Sequence, residues 1–126
     1  MGWDAYAVDK HGKDVECFSY KHKELPWQIK NEKIRGIFKE AAGKVLKNVG
    51  EVDGCLETGS LDCSCFGMEI MDITGYSVYL CCGFYYSPEE VQKMKKIFDE
   101  KDPPYSSGRG FVDACVKAGL GMRFSY

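Results

Sequence analysis

Histidine, long apolar runs and surplus positive charge are all scarce in this chain. Only two histidines, His11 and His22, occur in 126 residues, and neither stands in a nucleophile motif, so no Ser-His-Asp set is legible. No apolar stretch approaches the roughly 18 residues that a membrane helix needs. The first fourteen residues show neither a basic nor an apolar region of the kind a signal peptide carries. Met1-Gly2 begins like an acylation site, but Tyr6 stands where that motif requires Ser or Thr. There is no Gly-x4-Gly-Lys-Ser/Thr loop and no Gly-x-Gly-x-x-Gly fingerprint. The formal charge is -2 and the pI about 5.7, which disfavours nonspecific binding to nucleic-acid phosphates. These absences favour neither a membrane nor a nucleic-acid partner, and no cofactor is read from the sequence.

Cysteine, by contrast, is plentiful: there are seven. With no secretory signal, the expected setting is the reducing cytoplasm, with free thiols. Zinc sites usually take paired Cys-x2–4-Cys knuckles, which are missing here. A zinc site would have to gather Cys55, Cys63, Cys65 and one of Cys81 and Cys82. Helical spacing separates Cys63 from Cys65 by about 200°, so the pair would not chelate together. Cys63 then reads as a small core residue, and Cys65 as a candidate exposed, reactive thiol in a first helical turn. No catalytic base is legible beside it.

The length fits one globular domain spanning residues 1–126. Charge divides unevenly, with ten Lys/Arg against seven Asp/Glu in residues 1–50 and seven against twelve thereafter. Solvated faces are the ordinary reading of such a mild asymmetry.

Periodicity sketches the elements. Trp3–Val8 and Val15–Tyr20 read as strands around a turn at Gly12, and 21–27 as loop. Ile34, Ile37, Phe38, Ala41, Val45 and Val49 form one stripe of a helix over 29–49, with Asn31 as a cap and Gly50 as its stop. Residues 51–60 read as loop. Asp62 is placed to cap a helix over 63–74. Tyr76–Tyr86 reads as a strand. Ser87-Pro88-Glu89-Glu90 opens a helix with a capping box. Ser106–Gly110 reads as the loop before a last helix over 111–118, and residues 121–126 as a closing strand. The expected fold is α+β: a small, mainly antiparallel sheet against about four helices.

Gly2-Trp3-Asp4-Ala5-Tyr6-Ala7 at one end, and Gly119-Leu120-Gly121-Met122-Arg123-Phe124-Ser125-Tyr126 at the other, resemble the two ends of a family of small bacterial and phage proteins without assigned function. Leu61-Asp62-Cys63-Ser64-Cys65 fits the same pattern. The resemblance implies that both ends belong to one compact domain. Terminal strands fray unless paired, so the two are expected to be neighbours, with Asp4 close to Arg123.

Three functional readings follow. The first is a non-enzymatic binding or regulatory protein, a phage or bacterial accessory factor working through protein–protein contacts. It leads because no enzyme signature is legible. Tyr79, Phe84, Tyr85 and Tyr86 cluster, and aromatic surfaces mark interfaces, though core packing is the ordinary reading of each one. The second is a small enzyme or anionic-ligand binder using Cys65 or the Ser107, Gly108, Arg109, Gly110 loop, where glycines and a helix terminus would admit a phosphate. The third is a structural zinc protein. The sequence leaves the oligomeric state open.

Overall fold

A computed structural model describes residues 4–18, 27–62, 68–78 and 84–125. The architecture is α+β. Strand β1 (Asp4–Val8) is central in a three-stranded antiparallel sheet of order β4-β1-β5, with β4 at Ser60–Asp62 and β5 at Gly121–Ser125. The first and last strands are thus neighbours, as the sequence leads one to expect. Strands β2 (Glu16–Phe18) and β3 (Trp27–Ile29) form a separate two-stranded sheet. Helices α1 (Glu32–Val49), α2 (Met68–Thr74), α3 (Pro88–Lys101) and α4 (Ser107–Ala118) complete the fold, with a 3-10 turn at Leu56–Thr58.

Alternation explains the sheet. Ala5 and Ala7 face the core from β1, and Met122 and Phe124 from β5. The register sets Ala5 against Phe124 and Ala7 against Met122, so each large side chain has a small cross-strand neighbour. On the other face, Arg123 lies opposite Tyr6 and one step diagonal from Asp4. Its guanidinium stacks 4.2 Å from the Tyr6 ring centre and grips Asp14 with two bonds of 2.6 and 2.7 Å.

The helices are fixed by local signals. Asn31 accepts the Ile34 amide at 3.1 Å, and Gly50 closes α1 in the left-handed region at φ 78°. Ser87 accepts the Glu90 amide at the head of α3, with Pro88 in the first turn. Phe38, Phe98 and Phe111 are fully buried, each contributing about 1.5–3 kcal/mol by leaving water. Phe38 of α1 and Phe111 of α4 meet with ring centres 6.1 Å apart. Among the described residues no helix is long and apolar enough to cross a membrane.

Four local expectations are corrected. Asp62, expected at a helix terminus, is instead the last residue of β4, opposite Asp4. Leu61 is fully buried opposite Ala5, so the strand is held by pairing and burial, which outweigh a local capping signal. Residues 63–67 lie outside the described residues. Of the strand expected over 76–86, Tyr76–Val78 are irregular, residues 79–83 lie outside the described residues, and Tyr86 joins the sheet by an isolated bridge to Met122, with N–H···O bonds of 2.7 and 3.0 Å. Gly121 makes that bridge possible, because a side chain there would strike the Tyr86 carbonyl. Trp27 starts a strand rather than ending a loop. Finally, α4 begins at Ser107, not Phe111.

Candidate functional site

The last correction changes the Ser107–Gly110 candidate. These residues are the first turn of α4, not a loop. The Ser106 carbonyl accepts the Gly110 amide at 2.9 Å, the first bond of the helix. Ser107 is buried, and its hydroxyl accepts the Asp53 amide at 2.9 Å. Gly108 and Gly110 are buried too. At Gly110 a Cβ would come within 2.6 Å of a Val45 methyl. The missing side chain therefore lets α1 and α4 approach closely, which offsets the roughly 1 kcal/mol that glycine costs inside a helix.

Arg109 faces its own chain. Its guanidinium donates to Asp102 at 3.0 Å, to the Pro103 carbonyl at 2.5 Å and to Asp99 at 3.4 Å. Asp102 itself closes α3 in the left-handed region at φ 47°. The arginine thus ties the end of α3 and the Asp102-Pro103-Pro104 turn to the start of α4. A carboxylate also stands beside that start: Ser106 donates its hydroxyl to Glu69 of α2. Burial raises the Glu69 pKa above the ordinary 4.5, with the Ser106 bond pulling the other way.

Of the thiols, Cys55 is exposed, and Cys115 is free and buried in the core. Burial drives the Cys115 pKa far up, so it is an inert thiol. Cys63, Cys65, Cys81 and Cys82 lie outside the described residues. Among the described residues no three His, Cys, Asp or Glu side chains come together to hold a metal ion. Tyr79 is outside as well, while Phe84 is 49% exposed and Tyr86 is buried. Tyr86 touches Tyr76, Phe84 and Phe124 edge-on, at 5.3, 5.4 and 6.2 Å between centres.

A different place carries more chemistry. The α1 and α4 helices flank an open recess of about 160 Å³, lined by Ile37, Glu40, Ala41, Lys44, Tyr105, Asp113, Ala114 and Lys117. The α1 members are spaced by three and four residues, as are those of α4, so each set shares one helix face. Tyr105, just before α4, closes the recess. Its ring receives the Lys44 ammonium at 4.0 Å from the centre, a cation–π contact. Burial and then the Asp113 carboxylate hold the Tyr105 phenol well above its ordinary pKa. Asp113 accepts from Lys95 of α3 at 3.0 Å. Burial works against the Lys95 charge, but Asp113 and Asp99 outweigh it, and its pKa lies above the ordinary 10.5. At the mouth, Glu40 meets Lys117 at 3.5 Å. Lys44 differs from these charges: among the described residues no carboxylate lies within ion-pair distance of it.

Sequence reading missed this recess. Glu40, Lys44 and Lys117 belong to no local motif, and the close approach of α1 and α4 at Gly110 collects them. Comparison with known proteins adds no assignment: no family model, curated protein or solved structure matches the chain.

Proposed function

We propose that this chain is a binding protein that works through a protein partner, seating one anchoring residue of that partner between α1 and α4. The observation that carries the reading is the size and furnishing of the recess. Sites for drug-sized ligands and cofactors occupy about 300–1,000 Å³, and this one measures about 160 Å³. It suits a single side chain with a tyrosine ring and alanines against its apolar part. Interfaces concentrate their energy in a few such anchors. The titratable carboxylates at the recess already have cationic partners, Glu40 in Lys117 and Asp113 in Lys95, which supports recognition over acid–base turnover. Cys115, free and buried in the core, accords with a reducing, cytoplasmic setting. An accessory role accords with the resemblance of the two chain ends to small bacterial and phage proteins.

The test is a selection. A random peptide library is enriched on the immobilised chain, and each enriched peptide is measured against Glu40→Trp, which fills the recess from an exposed position. The reading expects affinity to drop at least about tenfold, the loss of one good anchor. Peptides that bind both proteins equally would place the interaction elsewhere.

A further inference from the structure

The charges around the recess are unequally satisfied. Glu40 is met by Lys117, and Asp113 by Lys95. Lys44 has the Tyr105 ring on one side of its ammonium and no carboxylate among the described residues. An ammonium carries three donors, and a ring face engages only one side of it. The remaining donors are available to an acceptor at the mouth of the recess. Below them the lining is apolar at Ala41 and Ala114, both buried. The lining also holds the Glu40 and Asp113 carboxylates, each paired with a lysine, so the charge left over the aliphatic floor among the described residues is the Lys44 ammonium, which is complementary to a short aliphatic acid.

We infer that the recess recognises a carboxylate, and that the anchoring residue of the partner is its C-terminal residue, carrying a small aliphatic side chain. This rests on the binding reading above and names its chemistry. The terminal carboxylate meets Lys44, with Lys117 alongside it in exchange for part of its exposed contact with Glu40. The aliphatic side chain lies on Ala41 and Ala114, against the Tyr105 ring. A chain end suits the volume, because an internal residue would have to bring two continuing backbone arms to a recess of about 160 Å³.

Three probes separate the possibilities: acetyl-Ala-Ala-Val with a free carboxylate, the same peptide as its C-terminal amide, and butyrate. Each is titrated into the ¹⁵N-labelled full chain while amide shifts are followed. The inference expects saturable shifts at Ala41, Lys44, Ala114 and Lys117 with the acid peptide. The amide should bind at least about tenfold more weakly, as expected for losing a charge-assisted hydrogen bond. Lys44→Ala should lose a similar factor, and Lys44→Arg should recover most of it. Equal binding of acid and amide, an unchanged Lys44→Ala, or no saturable shift with any probe would overturn it. If butyrate binds as tightly as the acid peptide, the carboxylate assignment stands and the C-terminal anchor falls, together with the protein-partner reading.

Discussion

Lys44 of α1 places its ammonium 4.0 Å from the centre of the Tyr105 ring, the residue that closes the recess ahead of α4. The contact joins α1 to the segment ahead of α4, distant in sequence, and it positions a positive charge over the buried alanines of the recess. The account of this protein turns on that geometry and on the close helix approach behind it.

The approach itself depends on Gly110. Gly110→Ala puts a methyl 2.6 Å from a Val45 methyl. Overpacking of this kind costs about 1–3 kcal/mol, partly offset by the better helix propensity of alanine. Urea denaturation should show the loss, and Gly110→Ala with Val45→Ala together should show less than the two single losses combined. Strict additivity would mean that the two residues do not press on each other.

Arg109 should behave as a structural tie. Its side chain is 14% exposed and bonds Asp102, Asp99 and the Pro103 carbonyl. Arg109→Ala should destabilise the fold by about 1–3 kcal/mol, and Arg109→Lys should recover only part, because an ammonium lacks the planar fork. Thermal denaturation checks this. A variant as stable as the parent would show that the α3–α4 corner stands without it.

Glu69 gives a pH signature. Its folded pKa is raised above 4.5, chiefly by burial, so the native state holds that proton more tightly than the unfolded chain. Its contribution to stability is present at low pH and is lost as pH rises from the unfolded value through the raised one. Glu69→Gln keeps an acceptor for Ser106 and removes the titration. The parent should therefore lose stability relative to the variant as pH climbs through that window. Parallel stability curves for the two proteins would contradict the assignment.

Much of the fold was legible because its signals are local. Asn31, Gly50, Ser87 and Pro88 sit at helix ends as their side chains and backbones dictate. The pairing of the two terminal strands followed from the need of chain ends to be tied down. Asp62 misled because a capping residue looks the same whether or not its neighbour Leu61 is being drawn into a strand. Ser107–Gly110 misled for a related reason. Glycines read as loop, yet here Gly110 is the thin side of a helix that lets Val45 in. The recess was out of reach because no local pattern joins Lys44 to Tyr105. The bidentate partner of Arg123 is Asp14, set beside it by the fold of a turn and not by pairing of the strand ends.

The most direct measurement of the central claim is a set of intermolecular NOEs between a selected peptide and the full chain labelled at its alanine methyls and tyrosine rings. The account predicts NOEs from the peptide's last residue to the Ala41 and Ala114 methyls and to the Tyr105 ring. NOEs confined to the ring of Tyr76 or Tyr86, beside the exposed Phe84, would contradict it.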